Sequence, residues 1–216
     1  MSAREEVLRR IRAATRDVTE KDPAVDVPVE WEYGRPLGTV DVIADFVEKV
    51  EDYKAAVRRC GDGEIAATVI EALRALDAHS VVIPAGLPDN WIDALRDAGF
   101  ELHSDEPVLS HAQLNGIDAV VTTAAVGMAD SGTIALDHGI GQGRRALTLL
   151  PDRHICVIRE DQVVSDVPEG VVRLTPALTQ RRPVTWLSGG SATSDIELSR
   201  VEGVHGPRHL SVVLVG

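Results

Sequence analysis

The sequence predicts an α/β protein in which helices cover both faces of a mostly parallel sheet. Two observations lead to this prediction. Between residues 39 and 126, segments with helical spacing alternate with short apolar runs typical of buried strands. Strands that alternate with helices of this length are joined by right-handed crossovers and form parallel sheets. The 216 residues are 44% apolar and 26% charged, which is enough chain for one sizeable core.

Each element of the first half has a local reason. Ser2 and Glu5 have the spacing of a capping box, which predicts an amphipathic helix over residues 3–16. Residues 17–38 are rich in proline and glycine and predict an irregular loop attached to the core, or alternatively a lid or oligomer contact. The remaining pattern predicts a helix at 39–50, a strand at 53–60, a helix at 64–78, a strand at 79–86, helices at 91–99 and 108–116, and a buried strand at 117–126.

The second half has shorter apolar runs separated by glycine-rich turns. The runs at 131–139, 144–151 and 154–160 leave no room for helices between them, so they predict antiparallel strands or hairpins. The remaining elements predicted there are a helix at 172–180, a strand that runs into a loop at 183–190, a short helix at 193–203 and a terminal strand at 209–216. Without a repeat or a convincing linker, we expect one domain at 39–216, on which residues 1–38 pack.

Composition excludes several classes of protein. The 34 Asp and Glu residues outnumber the 22 Lys and Arg, and the net charge of -12 argues against binding nucleic acid or an anionic membrane surface. No apolar run is long enough to span a membrane. Cys60 and Cys156 form no paired motif, which excludes a disulfide framework and an iron–sulfur cluster held by this chain alone. Few cysteines and an acid-containing N-terminus predict a cytoplasmic protein.

The first candidate site is the turn at 127–133, which follows a predicted buried strand. Ligands of open α/β sheets bind beyond the carboxyl ends of strands. Asp130 would present a carboxylate there, as a base, nucleophile or hydroxyl anchor. Ser131, Gly132 and Thr133 would supply hydroxyl and backbone N–H groups. The alternative is a tight turn in which Asp130 bonds its own backbone.

The second candidate is the glycine-rich segment at 138–145. It resembles a dinucleotide-binding loop, but Arg144 occupies the third glycine position and a β-like run follows in place of a helix. The segment therefore predicts a flexible hairpin. Arg144 and Arg145 could bind a carboxylate or phosphate there, or be solvated surface charges.

The third candidate is the Gly/Ser loop that begins at Ser188. A strand that enters such a loop before a helix offers free N–H groups to an anion, although a plain helix cap is the alternative. The candidate ligand-binding residues are Ser191, Thr193, Ser194 and Asp195, and Glu197 is a candidate catalytic carboxylate. His205 could line the same cleft. Gly206 and Pro207 prevent His205 and His209 from forming a helical zinc pair, so no metal site is predicted.

Four ordered segments together carry a family resemblance. They are ADSGTIAL at 129–136, GQGRRALTLLPDRHICVI at 141–158, GGSATSDIE at 189–197 and GVHGPR at 203–208. Over about residues 40–216 the chain resembles the LUD-domain proteins. The resemblance implies a Rossmann-like fold similar to the NagB/RpiA/CoA-transferase group. It also implies a role in the oxidation of L-lactate to pyruvate alongside partner subunits that carry iron–sulfur clusters, with no cofactor bound by this chain.

The sequence departs from the family at the candidate sites. The family usually has glutamate where Asp130 stands, and in related CoA-transferases a glutamate in a similar turn is the nucleophile. It commonly has proline in place of Gly190 and often a basic residue in place of Ala192. Three functions remain open: a lactate-utilisation subunit that binds a small anionic ligand, an independent enzyme of the CoA-transferase or formyltetrahydrofolate cyclo-ligase type acting on an acyl or phosphorylated substrate, and a non-catalytic scaffold subunit. Each is compatible with a homo-oligomer.

Overall fold

A capped surface helix begins the chain. The computed structural model describes residues 2–20, 22–28, 38, 40–193, 201–202 and 206–216. Contacts divide the chain into units of residues 1–35 and 36–216. The first unit contains α1 (Ala3–Ala14) and α2 (Pro23–Asp26). The predicted capping box is confirmed, because Glu5 N–H donates to Ser2 Oγ at 3.2 Å and Ser2 N–H donates to Glu5 Oε2 at 2.6 Å.

The second unit alternates helices and strands, as predicted for its first half. In chain order, its elements are α3 (Val42–Asp52), β1 (Ala56–Cys60), α4 (Ile65–Ala75), β2 (Ser80–Ile83), α5 (Asp89–Asp97), β3 (Glu101–Ser104), α6 (His111–Asn115), β4 (Ala119–Thr123), β5 (Val126–Met128), β6 (Thr133–Leu136), β7 (Arg153–Arg159), β8 (Val163–Val164), α7 (Val167–Thr179), β9 (Thr185–Leu187), β10 (Ala192–Thr193), β11 (Val201–Glu202) and β12 (His209–Val215).

Six of these strands form a central sheet in the order β1-β12-β7-β4-β2-β3, and every pairing is parallel. One face of this sheet packs against α4 and α5, with Leu73 and Leu95 fully buried. The opposite face packs against α3 through Phe46 and Val50. Burial of both faces is what an all-parallel sheet requires, and it confirms the predicted α/β class.

A smaller four-stranded sheet in the order β8-β5-β6-β9 covers part of the face that α3 occupies. Strands β5 and β6 form an antiparallel hairpin, and β6 pairs antiparallel with β9. Of the three runs predicted as antiparallel strands, the run at 131–139 is confirmed as β6. Ile134 and Leu136 of β6 pack in one cluster with Ile158 and Leu214 of the central sheet.

Three predictions for the second half are wrong. The run at 154–160 is β7, a parallel strand in the middle of the central sheet, because Ile155 through Ile158 are buried on both faces. The run at 144–151 contains a 3-10 helix at Arg145–Thr148 in place of a strand, so there is no hairpin at 138–145. The end residues of the helix predicted at 193–203 form the ribbon β10–β11, and residues 194–200 lie outside the described part.

The edge strand β3 has no counterpart in the sequence prediction. Within the described part of the chain it pairs with β2 alone, and Glu101 and Ser104 at its two ends are exposed. An edge strand with exposed ends has too few buried positions to produce a clear apolar run. Its position adds the sixth strand to the sheet without changing the fold class.

The turn before β6 packs closely against α3 at Gly132, and a substitution there tests this packing. Its φ is +57°, and an added Cβ would lie 2.6 Å from the Lys49 carbonyl carbon of α3. We expect Gly132→Ala to lower the free energy of unfolding by about 2–4 kcal/mol, because it combines left-handed strain with a backbone collision. Urea unfolding measures this. Gly63→Ala is the matched control, since a Cβ there meets no atom within 4 Å; equal effects of the two changes would contradict the packing described.

Candidate functional site

Two of the predicted site segments meet at one edge of the four-stranded sheet. Thr133 begins β6 and Ser188 follows β9, and their hydroxyl oxygens lie 2.7 Å apart. Thr133 is buried, so this hydrogen bond satisfies both hydroxyls where water has little access. The turn at 129–133 and the Gly/Ser loop at 188–191 are therefore neighbours.

The turn that carries Asp130 is held by its backbone. Asp130 N–H donates to the Ser165 carbonyl at 3.0 Å, and Ala129 N–H donates to the Val164 carbonyl at 2.9 Å. The Asp130 side chain is exposed and makes no hydrogen bond within the described part of the chain. The buried Ser131 hydroxyl also finds no partner there. The turn thus fixes the position of Asp130 and leaves its carboxylate accessible.

A cavity of about 210 Å³ lies beside the Gly/Ser loop, where the amino ends of β7 and β12 approach the end of β9. The loop is fixed here because Ser191 N–H donates to the Pro207 carbonyl at 2.7 Å. Only glycine fits at two positions of the loop. A Cβ on Gly189, whose φ is +87°, would lie 2.6 Å from Tyr53, and one on Gly190 would collide with the Arg208 carbonyl oxygen. The loop therefore packs closely against Tyr53 and Arg208, and its two glycines also form one wall of the cavity.

Arg145 supplies positive charge to this cavity. It begins the 3-10 helix, and its Nη1 donates to the Thr148 carbonyl at 3.0 Å and to Thr148 Oγ1 at 3.2 Å. Partial burial lowers the pKa of its guanidinium by removing water from the cation. Among the described residues no carboxylate pairs with Arg145, so its remaining N–H groups are available to an anion.

His154 lies at the start of β7 and lines the same cavity. Its side chain is buried, and Nε2 lies 2.7 Å from Thr122 Oγ1. Burial, together with the nearby charge of Arg145, lowers the pKa of His154 to about 3. Burial also raises the pKa of the neighbouring Cys156 thiol to about 12. His154 is therefore a neutral imidazole, and Cys156 keeps its proton.

The two arginines that the sequence singles out have different environments. Arg144 Nε and Nη2 donate to the Asp105 carboxylate at 2.7 and 2.9 Å, and Nη2 also donates to the Leu109 carbonyl at 2.7 Å. This ion pair holds the pKa of Asp105 below its usual value. The guanidinium of Arg144 is thus engaged in the structure, whereas Arg145, one residue later, faces the cavity.

The remaining predicted residues are placed as follows. Ser191 lines the cavity, and Thr193 lies in β10. Outside the described residues lie Ser194, Asp195, Glu197 and His205. Sequence reasoning missed His154 and Thr148 as cavity residues. For His154 the signal was a polar side chain at the first position of an apolar run, which is a weak one, and Thr148 within the run at 144–151 gave no signal.

The glycine-rich segment at 137–143 fills the carboxyl ends of β2 and β4. Gly141 N–H donates to the Ala85 carbonyl at 3.0 Å, and Thr123 N–H donates to the Gly141 carbonyl at 2.9 Å. The ring of His138 bonds the Gly143 carbonyl at 2.7 Å and the Thr185 hydroxyl at 2.8 Å. The backbone groups of Gly141 are therefore already hydrogen-bonded within the protein. The segment at 137–143, called the plug below, covers the sheet end where a ligand would be expected in this class of fold.

Neither a metal cluster nor a membrane helix is found in the described part of the chain. No group of three or more His, Cys, Asp and Glu residues there is arranged to hold a metal ion. No helix there is long and apolar enough to cross a membrane. Among the described residues, those that line the cavity include Arg145, His154, hydroxyl side chains and glycines.

The parallel sheet with helices on both faces defines a Rossmann-like α/β protein, and a cavity lined by Arg145 lies beside this sheet. The LUD domain model matches residues 43–215, and the chain belongs to the LUD domain family. It is 49% identical over 181 residues to lactate utilization protein C of Deinococcus radiodurans, which covers 84% of this chain and 82% of that protein.

Other comparisons agree with this family. The protein of the same name from Halalkalibacterium halodurans is 34% identical over 102 residues, which cover 45% of this chain and 44% of that one. The crystal structure of a DUF162 family protein from Deinococcus radiodurans is 41% identical, covers 81% of this chain and 96% of that chain, and has a TM-score of 0.69. Both the fold and the family resemblance expected from the sequence are confirmed.

The buried His154 makes stability depend on pH. Its folded-state pKa of about 3 lies below its ordinary value of 6.5, so between these pH values the unfolded chain binds the extra proton. Stability is therefore lost as pH falls below 6.5, and this group alone removes about 1.4 kcal/mol between about pH 7.5 and pH 5.5. Urea unfolding of wild type and His154→Gln at both pH values measures this effect. The free energy of unfolding should fall by about 1.4 kcal/mol less in the variant than in wild type. Equal losses in the two proteins would contradict the assigned neutral state.

Proposed function

We propose that this chain is a subunit of a lactate-utilisation system that supports oxidation of L-lactate to pyruvate together with iron–sulfur partner proteins. In this proposal the chain binds a small carboxylate in the Arg145 cavity. Its similarity to proteins named lactate utilization protein C supports the role. The single observation that supports the binding site is a guanidinium without a carboxylate partner, among the described residues, that lines a cavity with a glycine wall.

The division of labour follows from the chemistry. Oxidation of lactate to pyruvate releases two electrons and two protons, and iron–sulfur clusters in partner subunits would accept the electrons. The Arg145 guanidinium would hold the substrate or product carboxylate. A charge-assisted hydrogen bond in a partly desolvated site is stronger than one in open water. Gly189 and Gly190 let this loop pack closely against Tyr53 and Arg208, which positions the wall of the cavity.

Growth on L-lactate as sole carbon source tests this role. Deletion of the gene should abolish growth, wild type should restore it, and Arg145→Ala should not, because removing a hydrogen-bonding cation weakens anion binding by about 10- to 100-fold. Arg96→Ala is the matched control. Arg96 is an exposed arginine paired with Asp93 on α5 and does not line the cavity. Normal growth of the deletion strain would overturn the lactate role, and full rescue by Arg145→Ala would overturn the site.

The exposed carboxylate of Asp130 favours a second candidate, an independent enzyme in which Asp130 is the nucleophile. The backbone hydrogen bonds of its turn, and a side chain without a partner among the described residues, suit that role, as does its position in the family turn. Asp130→Ala separates the two candidates in the same growth assay. The carboxylate-binding proposal expects rescue by Asp130→Ala, whereas the nucleophile requires its failure. Because the side chain is exposed, the change should alter the free energy of unfolding by less than about 0.5 kcal/mol.

A further inference from the structure

We propose that the cavity selects carboxylates that carry an oxygen on the carbon next to the carboxylate, and that His154 Nδ1–H is the group that recognises this oxygen. This inference rests on the proposed function, because it names the ligand class of the same site. It assigns two different donors to two different parts of one ligand. The Arg145 guanidinium takes the carboxylate, and the neutral imidazole takes a hydroxyl or keto oxygen.

The first step is that Arg145 and His154 are close enough to contact one small ligand. Both line the same cavity of about 210 Å³. Burial and the charge of Arg145 both lower the pKa of His154. Thr148 lines the same cavity, with its hydroxyl 3.2 Å from Arg145 Nη1. A molecule seated against the guanidinium is therefore next to the imidazole.

The second step is that one ring nitrogen of His154 is already used and the other is not. Nε2 lies 2.7 Å from Thr122 Oγ1, while Nδ1 has no hydrogen-bond partner within the described part of the chain. His154 is only 1% exposed. Because His154 lines the cavity, a ring nitrogen without a protein partner can bond an atom of a ligand there.

The third step concerns which ring nitrogen carries the proton. Thr122 is buried, and its hydroxyl oxygen lies 2.7 Å from His154 Nε2. An imidazole nitrogen is a good acceptor for a hydroxyl proton. We assign Thr122 as the donor in this hydrogen bond, which leaves the ring proton on Nδ1 and makes Nδ1–H a donor.

The fourth step explains why this arrangement gives selectivity. Burial and the Arg145 cation both oppose a second positive charge at His154, so the imidazole stays neutral and does not compete for the carboxylate. A carboxylate with an adjacent oxygen satisfies Arg145 and Nδ1–H together. A ligand that lacks this oxygen leaves a desolvated donor unpaired, and sites built around such donors reject it strongly.

Affinities of the full-length protein for L-lactate, pyruvate and propionate, measured by isothermal titration calorimetry, test the proposal. We expect L-lactate and pyruvate to bind at least about tenfold more tightly than propionate. His154→Phe should remove this preference and leave the affinity for propionate within about threefold. Arg96→Ala is the control and should keep the wild-type preference. Propionate that binds wild type as tightly as L-lactate would overturn the proposal.

A measurement on the wild-type protein avoids any effect of substitution on folding. Nitrogen-15 spectra of histidine-labelled protein should show the His154 proton on Nδ1, and L-lactate should shift this resonance more than propionate does. A proton on Nε2 would overturn the inference.

The calorimetric results also separate the two proposals. Carboxylate binding that depends on Arg145 but ignores the adjacent oxygen would overturn the role of His154 alone. Absence of binding by all three acids, or binding that survives Arg145→Ala, would also overturn the proposal that the Arg145 cavity binds a carboxylate.

Discussion

Strand β12 is the element on which both the fold and the cavity depend. It lies between β1 and β7 in the central sheet and pairs in parallel with both. Its side chains alternate between the two cores, with Val213 buried towards α4 and α5 and Val212 buried towards α3. The segment just before β12 supplies the Pro207 carbonyl that anchors Ser191 of the glycine loop. Strand β12 therefore joins β1 to the rest of the central sheet, and the segment before it positions one wall of the cavity.

The first half of the chain could be predicted because its information is local. The helical spacing of α4 and the buried run of β2 each follow from periodicity, and the capping box at Ser2 follows from two residue types. Alternation of such elements is sufficient to give the parallel α/β class. The orientation of β7 could not be predicted in this way, because its partners β4 and β12 are distant in sequence and an apolar run is the same for parallel and antiparallel pairing.

The candidate site was predicted only in part, for a similar reason. The sequence pointed to two adjacent arginines, but Asp105, which binds Arg144, lies 39 positions away and no local pattern connects them. The ion pair with Asp105 occupies the guanidinium of Arg144, whereas Arg145 lines the cavity. The plug at 137–143 likewise covers the carboxyl ends of β2 and β4 through hydrogen bonds to Ala85 and Thr123. Its glycines indicated a turn but not which strand ends the turn would cover.

The central claim is that the Arg145 cavity binds a small carboxylate, and a crystal structure of the protein grown with saturating L-lactate tests it most directly. We expect one lactate in the cavity, with its carboxylate within hydrogen-bond distance of Arg145 and its hydroxyl oxygen next to His154 Nδ1. Lactate bound instead at the Asp130 turn, or a cavity that contains only water at saturation, would contradict this claim.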